Sequence, residues 1–151
     1  LEGKSRLELP FGVTENEPKI NQAANLGLWS ETIWFPAYFL TDDRVRWEAV
    51  DDLTAFLVVP FENTEERFLV RFDPDTGLIA MFESMRYREA SNASKILWLN
   101  EVHEWGNVNG YTIPKRAALT WFDQGTPWAN FTVEDVVYNA DVKDYVCAKG
   151  L

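Results

Sequence analysis

Histidine and cysteine are scarce in this sequence of 151 residues, which contains only His103 and Cys147. A lone cysteine cannot form a disulfide within the chain, so it leaves the redox compartment open. A metal site or a Ser-His-Asp triad would depend on His103 alone, without partners at a suitable spacing. The sequence also lacks a glycine-rich phosphate loop, a CxxC pair and a calcium-binding loop. We therefore predict that the protein holds no metal and no cofactor.

Basic residues are outnumbered by acidic ones. The chain has 14 Lys and Arg against 24 Asp and Glu, which gives a net charge of -10 and a pI near 4.5. Because nucleic-acid binding uses Lys and Arg to neutralise phosphates, we predict that no nucleic acid is a partner. The same charge disfavours adsorption to anionic lipid surfaces.

Long apolar runs are absent too. No run reaches the about 18 apolar residues of a membrane-spanning helix, and no signal peptide is recognisable. The length suits a single domain over residues 1–151. Because the chain starts at Leu1 rather than at Met, we expect it to be the C-terminal part of a longer protein. A membrane anchor or leader in the missing part would give an extracytoplasmic or membrane-anchored location.

The one strong helical pattern lies near the start of the chain. Thr14 and Glu17 have the spacing of a capping box, and Pro18 suits the first turn of a helix. Pro36 disfavours helical geometry at Phe35, so we predict a long helix over Pro18–Phe35. One face of this helix is apolar on a helical wheel, with Glu31 in its middle. Its apolar residues are Ile20, Ala24, Gly27, Leu28, Trp34 and Phe35.

A carboxylate on a core-facing stripe needs a cationic partner or a raised pKa, because burying it alone costs several kcal/mol. The candidate partners of Glu31 are Arg44, Arg46, Arg86, Arg88 and Arg116. We predict a polar link between helix and sheet formed by Glu31, Arg46 and Arg86. The alternative is a small hydrolase or isomerase in which Glu31 acts as general base, with Glu48, Glu101 and Glu104 as further carboxylates.

From Arg44 onward the hydrophobic period changes to two, which indicates strands. Turn sequences such as Asp73–Gly77 separate the strands and favour antiparallel hairpins. The predicted strands are Ser5–Leu9, Arg44–Ala49, Thr54–Phe61, Arg67–Phe72, Leu78–Tyr87, Ile96–Trp105, Tyr111–Phe122 and Trp128–Ala140. The fold class is therefore α+β, with one long helix packed on a strongly curved antiparallel sheet of about seven to eight strands.

Aromatic residues are abundant, with seven tryptophans and ten phenylalanines. They could fill an ordinary core or line a cavity for an apolar ligand. The strand Thr54–Phe61 is apolar on both faces, which favours a covered or partly closed sheet. Trp34, Phe35, Tyr38 and Trp47 are the candidate ligand-binding residues, because they lie where the helix meets the first strand of the sheet.

The order of these motifs resembles a bacterial domain family of uncharacterised function. Its members carry Glu-x-x-Trp-x-Pro at the helix end and then Val-x-Trp, which here are Glu31, Trp34, Pro36, Val45 and Trp47. In architecture the family is similar to the lipoprotein-carrier half-barrels, which shelter acyl chains between a curved sheet and a helix. This similarity is one of architecture, and fold does not dictate function. From the two-sided apolarity of several strands and the seven tryptophans, we expect a non-enzymatic domain that binds a lipid-like or other hydrophobic ligand in such a groove. A protein-interaction module is a further alternative.

Overall fold

The computed structural model of the chain describes residues 4–10 and 12–144. Cys147 lies outside the described residues. The helical segments are α1 (Pro18–Glu31), a 3₁₀ turn (Thr32–Trp34) and α2 (Tyr38–Thr41). The strands are β1 (Arg6–Leu9), β2 (Gly12–Glu15), β3 (Arg46–Asp51), β4 (Thr54–Phe61), β5 (Thr64–Phe72), β6 (Ile79–Arg86), β7 (Ile96–Val108), β8 (Tyr111–Trp121) and β9 (Pro127–Thr132).

Strands β3 to β9 form one antiparallel sheet in which each strand pairs with its neighbour in the chain. The sheet is open, because β3 and β9 are its two edges. Strands β1 and β2 form a separate two-stranded hairpin instead of adding an edge strand to the main sheet. The α+β class and the antiparallel meander are therefore confirmed, with seven strands in the main sheet.

Helix α1 is shorter than the predicted Pro18–Phe35. It ends at Glu31, and the chain tightens into the 3₁₀ turn before Phe35 leaves helical geometry with φ −130° and ψ 57°. Pro36 accounts for this end, because it disfavours the helical conformation in the residue before it. The capping box is also wrong: Thr14 belongs to β2, and the side chain of Glu17 alone accepts the Ile20 amide at 2.9 Å.

The predicted buried face of the helix is wrong as well. Ala23, Leu26, Trp29 and Ile33 are buried, whereas Leu28 is 66% exposed. The helix is turned so that polar side chains, among them Asn21 and Gln22, also face inward; these two are buried because their amides find partners. A wheel that counts apolar residues alone cannot register such amides.

The core lies between helix α1, helix α2 and the strands β4 to β8. Phe39 of α2 packs edge-on against Trp47 and lies 6.0 Å from Phe82, measured between ring centroids. Phe82 in turn packs on Phe68 at 5.4 Å. Edge-to-face contacts of this kind are favoured between aromatic rings, so much of the aromatic content forms a continuous core.

Strand β9 ends at Thr132, although a strand to Ala140 was predicted. Thr132 pairs with Arg116 on β8, so the ladder would reach Pro114 two residues later. Pro114 has no N–H, and its carbonyl oxygen accepts the Trp34 indole N–H at 3.1 Å instead. The chain after β9 therefore leaves the sheet. The Tyr138 hydroxyl then donates to the Trp34 carbonyl oxygen at 2.6 Å.

Candidate functional site

A cavity of about 410 Å³ lies between the C-terminal half of helix α1 and strands β6 to β9. We call it the helix–sheet cavity. Its polar lining residues are Ser30, Glu31, Arg86 and Asn100. Its other lining residues are Gly27, Ile33, Trp34, Trp98, Val102, Ala117, Leu119, Trp128 and Phe131. A mostly apolar cavity of this size with a few polar groups is typical of small-molecule sites.

The periodicities of the two secondary structures bring these residues together. On β7, alternate residues Trp98, Asn100 and Val102 point to the same side of the sheet, towards α1. On the helix, Gly27 and Glu31 are four residues apart and so share one face. The cavity is thus built from alternate strand positions and one helical stripe.

Arg86 is the cationic residue of the cavity lining. Its guanidinium carbon lies 4.3 Å from the centroid of the Trp98 ring and 5.6 Å from that of Trp121. Burial lowers the pKa of Arg86 to about 10, against the opposing effect of the Glu31 carboxylate. The side chain therefore stays positively charged at neutral pH, held against indole rings by cation–π attraction.

Glu31 faces the same cavity from the end of α1 but is largely exposed. Partial burial raises the pKa of its carboxyl, and the positive charge of Arg86 opposes that rise. Among the ion pairs of the described residues, none within 4.0 Å joins Glu31 to Arg86. The structure thus brings the two predicted partners to one cavity without direct contact.

Arg46 does not join them. It lies on the edge strand β3, where its guanidinium binds Glu65 and, at 3.0 Å, Glu48. Helix and sheet are linked instead by Gln22, whose amide donates to the Met85 carbonyl at 3.0 Å and accepts the Tyr87 N–H at 3.3 Å. Sequence reasoning missed this link, because nothing in the hydropathy pattern marks a buried glutamine.

Three of the four predicted ligand-binding residues line one pocket, and only Trp47 lies apart from it. Trp34 lines the helix–sheet cavity. It also lines a second pocket, of about 370 Å³ on the outer side of the 3₁₀ turn, together with Phe35 and Tyr38, which are 48% and 58% exposed. Trp47 packs between Phe39 and Phe72 in the core, and its indole donates to the Phe39 carbonyl at 3.0 Å.

Asn100 was missed by the sequence analysis and is central to the cavity. It is 7% exposed and lines the cavity, yet its side chain makes no hydrogen bond within the described part of the chain. The one sequence feature that could have identified Asn100 is a polar residue at a position of β7 that points towards the core. The Asn100 amide can therefore both donate and accept hydrogen bonds within the cavity.

The other candidate catalytic residues lie away from this cavity. Glu48 binds Arg46, Glu101 accepts the Thr120 hydroxyl at 3.3 Å, and His103 is exposed. Residues 4–10 and 12–144 contain no group of three or more His, Cys, Asp or Glu side chains arranged to hold a metal ion. In the same residues, no helix has the length and apolar character needed to span a membrane.

Residues 6–131 match the sequence profile of a family of unknown function (DUF6544). The chain belongs to this family. Comparison with curated proteins and with solved structures gave no match. The part of the chain that matches the DUF6544 profile includes every residue that lines the helix–sheet cavity, from Gly27 to Phe131.

Proposed function

We propose that this member of the DUF6544 family is a non-enzymatic domain that binds a hydrophobic small molecule in the helix–sheet cavity. The observation that carries the proposal is the cavity itself, with a volume of about 410 Å³. Trp34, Trp98, Trp128 and Phe131 supply aromatic walls, on which an apolar ligand would bury its surface. The proposal includes a sheet that curves around α1 as a half-barrel.

A catalytic use of Glu31 is the second candidate. The observation in its favour is a carboxylate in the cavity lining, whose pKa is raised by burial. A general base has to lie within hydrogen-bond reach of the proton that it abstracts. Recovery of a bound ligand chemically unchanged after long incubation would favour binding over catalysis.

Binding can be tested with N-phenyl-1-naphthylamine, a neutral dye that fluoresces in apolar surroundings. The protein is first passed over a hydrophobic resin to remove bound lipid and is then titrated with the dye. We expect saturable binding at a stoichiometry of one, which native mass spectrometry of the same sample would report.

Variants that fill the cavity should abolish this binding. Ala117→Phe and Val102→Phe place a ring in the cavity, and we expect dye affinity to fall by at least about tenfold. Ala140→Phe is the matched control, because Ala140 is exposed and lies outside the cavity. Circular dichroism confirms that each variant is folded. Absence of binding to the wild type, or equal binding to the folded cavity variants, would contradict the proposal.

A further inference from the structure

Several polar side chains of the helix–sheet cavity, among them Arg86 and Asn100, have no hydrogen-bond partner in the described residues. The Nε of Arg86 is buried without a partner, and Asn100 is 7% exposed with an unbonded side-chain amide. Both residues line the same cavity, from the neighbouring strands β6 and β7. The Trp98 indole N–H, also in the lining, is likewise buried without a partner in the described part of the chain. The guanidinium of Arg86 and the amide of Asn100 are thus available to one polar group of a ligand.

We propose that the ligand is an amphiphilic monocarboxylate, whose carboxylate binds Arg86 and Asn100 while its hydrocarbon part lies against Trp34, Trp128 and Phe131. This inference rests on the proposed function and adds the chemical class of the ligand.

The setting of Arg86 favours an anion. Its guanidinium carbon lies over the rings of Trp98 and Trp121, and no described residue accepts a hydrogen bond from its Nη groups. A carboxylate matches the planar edge of a guanidinium with two parallel hydrogen bonds. Gly27 of α1 lies beside this guanidinium, since a Cβ at this position would be 3.6 Å from the Arg86 Nη2.

The neighbouring Arg88 has a carboxylate partner, whereas Arg86 has none among the described residues. Arg88 follows two residues later and also stacks on Trp121, at 4.8 Å, but its Nη2 binds the carboxylate of Asp123. Arg86 has no such carboxylate within 4.0 Å in the described residues. A ligand carboxylate would supply the missing partner.

The charges of the lining favour a single negative charge on the ligand. Arg86 supplies one positive charge and Glu31 one negative charge, and the other lining residues are uncharged. A monoanion can bind Arg86 at the cost of one repulsion from Glu31. A phosphate monoester carries nearly two charges at neutral pH, and its second charge would lose hydration without a second cation in the lining to pair with.

Isothermal titration of the lipid-free protein with decanoate, decan-1-ol and decyl phosphate tests the inference. These three probes share one chain length and differ in the head group. We expect decanoate to bind at least about tenfold more tightly than decan-1-ol, because its carboxylate forms charge-assisted hydrogen bonds that a neutral hydroxyl cannot form. Decyl phosphate should bind more weakly than decanoate.

Three variants should weaken, strengthen and leave unchanged the affinity for decanoate, respectively. Arg86→Met should weaken decanoate binding by about 10- to 100-fold and change decan-1-ol binding by less than about threefold. Glu31→Gln should strengthen decanoate binding by about two- to fivefold, because it removes a like charge. Arg88→Met is the matched control and should leave both affinities unchanged. If Arg86→Met does not fold, Asn100→Leu provides the second test, with a loss of about fivefold for decanoate.

Several outcomes would overturn the inference. Equal affinities for decanoate and decan-1-ol would show that a carboxylate head group does not contribute to binding. The proposed binding of a hydrophobic molecule would still stand. Tighter binding of decyl phosphate than of decanoate would contradict the inference that the ligand carries a single negative charge. A wild-type protein that binds neither these probes nor the neutral dye would contradict the proposed function itself, so the two failures are distinguishable.

Discussion

At the scale of single residues, Gln22 shows how a polar side chain stabilises a helix on a sheet. It is 3% exposed. Its amide N–H donates to the Met85 carbonyl, and its amide oxygen accepts the Tyr87 N–H, both at the end of β6. These bonds help to fix the rotation of α1, and that rotation brings Gly27 and Glu31 to the cavity.

Replacement of Gln22 by Leu should therefore destabilise the protein. The apolar side chain keeps the volume but leaves two backbone groups unpaired, so we expect a loss of about 2 kcal/mol in the free energy of unfolding. Urea denaturation followed by circular dichroism measures it. Gln124→Leu is the matched control, since Gln124 is exposed and should change stability by less than about 0.5 kcal/mol. Equal effects of the two substitutions would show that the Gln22 bonds contribute little.

At the scale of elements, helix α1 carries a glycine in its interior. Glycine costs a helix about 1 kcal/mol relative to alanine, and a Cβ at Gly27 would make only ordinary van der Waals contact with Arg86, at 3.6 Å. We therefore expect Gly27→Ala to raise the free energy of unfolding by up to about 1 kcal/mol.

Gly77 is the control for this substitution. It ends the turn between β5 and β6 with φ +68°, a conformation that costs other residues about 1–2 kcal/mol. Gly77→Ala should therefore lower stability by about 1 kcal/mol, and thermal unfolding should separate the two variants in opposite directions. A destabilising Gly27→Ala would mean that Arg86 cannot accommodate the added methyl group.

At the scale of the whole molecule, the hairpin of β1 and β2 is set apart from the main sheet. Ser5, just before β1, is tied to α1 through the Asn21 carboxamide oxygen, which accepts the Ser5 N–H and hydroxyl at 2.8 Å. A two-stranded hairpin is marginally stable by itself, and such units open without global unfolding. Strands β4 and β5, by contrast, contribute Leu57, Val59, Phe68 and Val70 to the core.

Native-state hydrogen exchange should show this difference. We expect amides of the β1–β2 hairpin to exchange at least about 100-fold faster than those of β4 and β5. Asn21→Ala should accelerate exchange in the hairpin more than in β4 and β5, because it removes the bonds to Ser5. If the hairpin and β4–β5 exchange together, the molecule opens as one cooperative unit and the prediction is wrong.

Much of the fold could be predicted because its signals are local. Thr54–Phe61 was predicted with its observed bounds, and the turn Asp73–Gly77 forms with its Gly77 amide bonded to the Asp73 carbonyl at 2.8 Å. Period-two patterns and turn residues act over a few positions, so they can be recognised without knowledge of the partners. The end of β9 could not be recognised in this way, because it depends on Pro114, which is 18 residues earlier.

The sequence by itself determined the α+β class, the antiparallel meander, the start of α1 at Pro18 and the loss of helical geometry at Phe35. Only the tertiary structure decided which face of α1 is buried, that Arg46 pairs at a sheet edge, and that Arg86 and Asn100 share a cavity. The reason is that a polar side chain is buried where a distant partner satisfies it. Gln22 and Met85 are 63 residues apart, and no local pattern encodes their contact.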